Sequence, residues 1–370
     1  MKIFDDIPNY IKEMVPYPPG KPIEELKREY GIQDVIKLAS NENDYGPSPE
    51  AVKQFTSTAD ELFRYPDGSG YYLKGVIAEH FGVSRENIVL GNGSNEIIDF
   101  LCRVLVRPGR SVVSSFPSFL VYQKMVQIMG GENIVIPLKE GCHDLEAMAA
   151  AVRDDTRLIF LDNPNNPMGT IINREKFHAF LKGLPDTVLV VLDEAYGEFV
   201  RDDADCVRGA DFISQGGFQD PRVVFMRTFS KAYGLAGLRV GYGIMDARIA
   251  MLLERVRQPF NVSLPAQKAA LSAMMDREYL TRILQAIWSE MDRLSHALEA
   301  LGCVVASSNT NFMLVDTGRP AREIYEALLQ KGIIVRAMDA YGLPTHIRIT
   351  VGTKEENSSF LSAIGNLLGS

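Results

Sequence analysis

The chain has 370 residues, too many for one ordinary core, and its 46% hydrophobic and 23% charged residues match a soluble globular protein. Its formal net charge of −8 provides no basic footprint for nucleic acid. No apolar run is long enough for a signal peptide or a bilayer span, so a membrane location is not expected. Cys102, Cys142, Cys206 and Cys303 lack metal-ligand or disulfide-framework spacing. The expectation is a cytoplasmic protein with reduced thiols and no metal.

The first forty residues carry Pro8, Pro16, Pro18, Pro19 and Pro22 and read as an arm that packs on other structure. Short apolar runs at 87–90, 111–114, 158–161, 188–192, 223–226 and 240–244 then alternate with helical patterns. Several are almost continuously apolar, as strands buried on both faces are. That order predicts an α/β architecture with a mostly parallel sheet. Further on, Leu280, Ile283, Leu284, Ile287, Met291, Leu294, Leu298 and Leu301 recur at helical spacing and predict a long amphipathic helix. Strand runs at 312–315, 333–336 and 347–351 follow, with a helix between the first two. They predict a smaller α+β domain. The expected division is an arm with part of the small domain at 1–40, a large domain at 41–257 and a small domain at 258–370. The hinge is expected near Gln258 and Pro259.

Four segments carry chemistry. In 227–239, Lys231 follows an apolar strand, is flanked by Thr228 and Ser230, and is followed by Arg239. Hydroxyls and a guanidinium form a phosphate cradle. An amine beside that cradle is placed to form an imine with the aldehyde of pyridoxal phosphate. In 190–196, Asp193 ends a buried strand, where a carboxylate is costly without a partner. The partner is a structural cation or helix cap, or else a protonated pyridine nitrogen that makes the ring an electron sink. Tyr196, three residues on, is a candidate donor to the ring's phenolate oxygen. In 162–169, two Asn-Pro steps and Gly169 make a rigid turn, which is a turn alone or a mount for Asn166 on the same oxygen. In 91–96, glycines and Ser94 precede a helix and offer free amides to an anion. Glu96 stands where a dinucleotide fingerprint needs glycine, so one phosphate monoester is preferred.

With these motifs in this order, the sequence resembles the fold-type I pyridoxal-phosphate aminotransferases over nearly its whole length. The resemblance implies a large domain with a central, mostly parallel sheet and a smaller α+β domain. It implies a Schiff base on Lys231, pairing of Asp193 with the ring nitrogen, and contacts from Asn166 and Tyr196 to the phenolate oxygen. Ser94, Asn95, Thr228, Ser230 and Arg239 would hold the phosphate, and Phe119 would stack on the ring. Tyr65, in 64–67, resembles the tyrosine that reaches the neighbouring subunit's site, which implies a homodimer. Met168 departs from the family, where threonine is commoner, but the turn glycine remains.

The segments 38–43, 193–199 and 348–353, with the opening Pro16-Tyr17 and Gly20-Lys21-Pro22, resemble the branch acting on histidinol phosphate. That likeness implies Arg348 as ligand of the glutamate carboxylate and of the substrate phosphate. It adds Arg336 as second phosphate ligand, and Tyr17 and Asn43 at the substrate. The implied reaction is reversible transfer of an amino group between histidinol phosphate and 2-oxoglutarate. An aromatic amino-acid aminotransferase, needing only Arg348, is the nearest rival, and a threonine-phosphate decarboxylase the next.

Overall fold

The computed structural model describes residues 2–16, 23–202, 204–214 and 217–369. Seven strands form the larger sheet: β1 (Ile88–Gly91), β2 (Ser111–Phe116), β3 (Glu132–Pro137), β4 (Thr156–Asp162), β5 (Leu189–Asp193), β6 (Val223–Thr228) and β7 (Gly241–Ile244). Their order is β1-β7-β6-β5-β4-β2-β3. β7 runs antiparallel to both of its neighbours, and the other pairings are parallel.

The apolar runs explain the layering. Ile159, Leu161, Val190, Leu192, Val223 and Phe225 enter one buried cluster. The alternate residues Leu158, Phe160, Val191, Val224 and Met226 enter the cluster on the opposite face. All of these side chains are fully buried, and each stabilises the sheet by roughly 1.5–3 kcal/mol relative to exposure. A strand buried on both faces has no polar positions to spare, so polarity collects at its ends.

A second sheet contains β8 (Val304–Val305), β9 (Phe312–Asp316), β10 (Arg336–Ala337) and β11 (His346–Thr350), all antiparallel, in the order β8-β9-β11-β10. It packs on the helix Arg277–Ala300, whose Ile283, Ile287, Met291, Leu294 and Leu298 share a cluster with Phe312, Val315, Ile347 and Ile349. Leu38, Tyr196, Phe199 and Ala232 join that same cluster and so tie the two sheets' bodies together.

Two expectations change. The run 333–336 is not one strand: Ile333–Ile334 pairs in parallel with Ile36–Lys37, while Arg336–Ala337 joins the four-stranded sheet. Val335, buried between them, marks the change of partner. Strand β3 was not expected. It is an edge strand whose apolar run is short, Ile134 to Ile136, between Glu132-Asn133 and Pro137, and whose Glu132, Val135 and Pro137 are exposed. In the arm, Lys124 Nζ donates to the Val15 carbonyl, and Gln127 Nε2 donates to the Tyr10 carbonyl at 3.2 Å.

Candidate active site

The parallel strands β4, β5 and β6 end side by side, and their carboxyl ends open into a cavity of about 490 Å³, where open α/β sheets place their ligands. Asp193 closes β5 at 3% exposure. Its Oδ2 accepts the Tyr122 hydroxyl at 2.7 Å and its Oδ1 accepts the Ala195 amide at 3.1 Å. Burial pushes its acid constant up to about 7, against the pull of the Tyr122 bond. A carboxylate so desolvated favours a cationic partner. Tyr122 is itself locked by stacking on Phe160, with centroids 4.7 Å apart.

Asp162 pairs in register with Asp193 and governs the asparagine turn. It accepts Ser118 Oγ at 2.9 Å, Asn165 Nδ2 at 3.1 Å and the Asn166 amide at 2.9 Å. The turn thereby holds Asn166, whose Nδ2 donates to the Tyr196 hydroxyl at 3.3 Å. Asn41 Nδ2 donates to the same oxygen at 2.8 Å, which leaves the tyrosine O–H to donate into the cavity. Burial raises the Tyr196 hydroxyl to about 12, while Arg348 and Asn41 act to lower it, so it stays protonated near neutrality.

Lys231 lies in the turn after β6. Its Nζ donates to the Ser40 carbonyl at 3.0 Å and sits 5.6 Å from the Tyr196 ring centre. Burial, with the Arg348 charge acting in the same direction, brings its acid constant down to about 7. The amine is therefore substantially unprotonated near neutral pH, the state a nucleophile needs.

At the other end, Ser94 and Asn95 open the 12-residue helix Ser94–Leu105 and line the cavity, which sets the positive end of the helix dipole at that end. Thr228, Ser230 and Arg239 line the same end. Arg239 holds a left-handed backbone at φ 56°, and its Nη1 donates to Ser230 Oγ at 3.3 Å. Backbone strain of this kind costs about 1–3 kcal/mol and collects at functional sites. Gly93, at φ 77°, lets the guanidinium approach: a Cβ there would stand 2.5 Å from Arg239 Nη2. Phe119 lines the cavity between the two ends and meets Tyr122 edge-on.

The four-stranded sheet supplies the remaining wall. Arg336 and Arg348 are register partners on β10 and β11, and both line the cavity. Arg348 is buried at 8% exposure. Its Nη1 donates to Asn166 Oδ1 at 2.5 Å and its Nη2 to the Ala39 carbonyl at 2.9 Å.

The cavity thus gathers Lys231, Asp193, Tyr196, Asn166, Phe119, Ser94, Asn95, Thr228, Ser230, Arg239, Arg336 and Arg348. Asn43 lies outside this lining. Its Nδ2 donates to the Ala232 carbonyl at 2.8 Å and its Oδ1 accepts the Tyr45 amide, so its side chain is committed to backbone. Within 38–43 the asparagine that lines the cavity is Asn41, turned inward by a left-handed backbone at φ 54°. Tyr65 is 81% exposed and stacks on Phe260 at 4.8 Å, outside the cavity lining. Tyr17 lies outside the described residues. Sequence reasoning missed Tyr122, Asp162 and Asn41. Two signals were available: Asp162 ends an apolar run, and Tyr122 follows Phe119 by three residues.

These residues fit a phosphorylated pyridine aldehyde: an anion cradle at one end, a carboxylate seeking a cation at the ring, an aromatic face and a neutral amine. Among the described residues no group of histidine, cysteine or acidic side chains is arranged to hold a metal ion, and no helix is long and apolar enough to cross a membrane.

Residues 33–364 match the family model for aminotransferase class I and II, and the chain belongs to that family. The histidinol-phosphate aminotransferase of Desulfotalea psychrophila is 49% identical over 365 residues, covering 98% of this chain and 95% of the relative. That of Moorella thermoacetica is 45% identical, covering 97% and 92%. The crystal structure of histidinol-phosphate aminotransferase from Sinorhizobium meliloti in complex with pyridoxal-5'-phosphate superposes with a TM-score of 0.88 at 31% identity, covering 99% of this chain and 98% of that one.

Proposed function

We propose that this protein is a pyridoxal-phosphate-dependent histidinol-phosphate aminotransferase, moving an amino group reversibly between histidinol phosphate and 2-oxoglutarate in histidine biosynthesis. The observation that carries the reading is the in-register pair Arg336 and Arg348 facing the cavity that holds Lys231 and Asp193. Two guanidinium forks suit a phosphate dianion, whereas a carboxylate needs one.

The bound cofactor supplies an electron sink for the electrons released when the substrate α-proton leaves. Asp193 would pair with the ring nitrogen and favour its protonated form. Tyr196 and Asn166 hold the phenolate oxygen. Ser94, Asn95, Thr228, Ser230 and Arg239 fix the phosphate, and Phe119 covers the ring. Lys231 Nζ would hold the cofactor's aldehyde carbon and, when freed by substrate, would serve as the base and then the acid for the substrate α-proton. Arg348 orients the substrate anion in both half-reactions, and Arg336 adds a second fork for phosphate.

We also assign residues 1–40 as an arm with part of the small domain, 41–257 as the large domain and 258–370 as the small domain. The active form is a cytoplasmic homodimer. In support, Leu62, Phe63, Tyr65 and Tyr72 are all more than 60% exposed, a cluster of large apolar side chains of the sort that marks an interface. Tyr65 would reach the partner's cofactor phosphate.

The test is Arg336→Ala. Losing a charge-assisted contact costs about 1.5–3 kcal/mol, or about one to two powers of ten in kcat/KM. The histidinol-phosphate half-reaction should lose that much and the glutamate half-reaction far less, as read by single-turnover absorbance. Equal losses would remove the argument for a phosphate substrate and favour an aromatic aminotransferase.

A further inference from the structure

One wall of the substrate end is left unused by the roles above. Tyr341 lines the cavity beside Arg336. It closes the turn Asp339–Tyr341, which stops at Gly342 with φ 77°, so the ring has a short, fixed mount. That ring lies parallel to Phe116, with centroids 6.2 Å apart and planes 8° from each other. Phe116 is the last residue of β2, three residues before Phe119. A ring from the body of the four-stranded sheet thus faces a ring from the body of the seven-stranded sheet.

The arrangement separates two kinds of recognition. Arg336 and Arg348, directly opposite on neighbouring strands, fix the anionic end of a substrate. Leu120, Ile334, Val335 and Ala337 line the same cavity without charge. A planar side chain extending from an anion held there would have this apolar lining and Tyr341 within the same cavity. Flat rings gain from offset or edge-on contact with an aromatic face, and a protonated imidazole gains from a cation–π contact. The flexible, ringless chain of glutamate gains neither.

We infer that Tyr341 is the ring-recognising wall of the amino-substrate site, and that Phe116 is a positioning residue that holds the tyrosine ring in plane. The inference rests on the proposed histidinol-phosphate reading and extends it from the phosphate to the ring.

The experiment uses Tyr341→Ala, Tyr341→Phe and Phe116→Ala in the full-length holoenzyme, with single-turnover absorbance for histidinol phosphate and for glutamate. Calorimetric binding of histidinol phosphate to the same substitutions in a Lys231→Ala background gives a readout independent of turnover. Tyr341→Ala should lower the ratio of histidinol-phosphate to glutamate kcat/KM by about three- to tenfold, chiefly through KM, with a matching rise in Kd. Tyr341→Phe should restore the ratio, and Phe116→Ala should shift it in the same direction by less. A ratio unchanged in Tyr341→Ala, or an equal fall in both half-reactions, overturns the inference. If the unsubstituted enzyme accepts phenylalanine and not histidinol phosphate, the functional reading falls instead. The ring wall is then decided by the same ratio measured with phenylalanine.

Discussion

Lys231 shows how environment makes a common residue reactive. An ordinary lysine amine has a constant near 10.4. Burial, reinforced by Arg348, brings that of Lys231 down to about 7. The lowered constant means the neutral, nucleophilic amine dominates as pH rises through 7, and the inert ammonium dominates below it. Attachment of pyridoxal phosphate to the cofactor-free protein, followed by stopped-flow absorbance, should therefore accelerate with a midpoint about pH 7. A midpoint above about 9 would mean that the buried setting does not tune this amine. Asp193 shifts in the opposite direction for the same dominant reason, desolvation of the charged form. The sequence showed both residue types at the ends of apolar strands. It could not show Tyr122 beneath Asp193, because a contact spanning 71 positions is set by packing.

At the scale of elements, legibility follows burial. Strands β4, β5 and β6 were readable because interior strands must be apolar on both faces, and their polar terminal residues Asp162, Asp193 and Thr228 stand out for that reason. The edge strand β3 gave a weaker signal, three apolar residues at 134–136 between Glu132-Asn133 and Pro137, because its open side tolerates exposed positions. The run 333–336 was readable as extended chain, but its split between two sheets depends on what lies alongside: Ile36–Lys37 for one half and β11 for the other. The segment 38–43 is legible as a unit, but which of its asparagines lines the cavity is not. Local backbone conformation decides that choice, since φ of 54° at Asn41 turns its amide onto Tyr196, and no residue pattern specifies it. The turn 162–169 differs, because Asn-Pro steps and glycine announce rigidity directly.

The whole molecule places cofactor-side groups on the seven-stranded sheet and anion-side groups on the four-stranded sheet, so a substrate spanning the cavity touches both bodies. A second copy adds Tyr65 in the proposed assembly. Mixing inactive Lys231→Ala with inactive Tyr65→Ala should then restore activity, because each hybrid dimer carries one site with an intact lysine and an intact partner tyrosine. Random exchange gives about a quarter of normal activity at most. No recovery after exchange has been verified by mass-tagged subunits would detach Tyr65 from the partner's site. The central claim, a transaminase for histidinol phosphate, is tested most directly by single-turnover absorbance of the unsubstituted holoenzyme with histidinol phosphate beside phenylalanine, tyrosine and threonine phosphate. The account requires loss of the lysine-bound cofactor absorbance with histidinol phosphate at a kcat/KM at least about tenfold above each rival, the advantage of one added charge-assisted contact. Faster reaction with phenylalanine or tyrosine, or release of carbon dioxide from threonine phosphate, would contradict it.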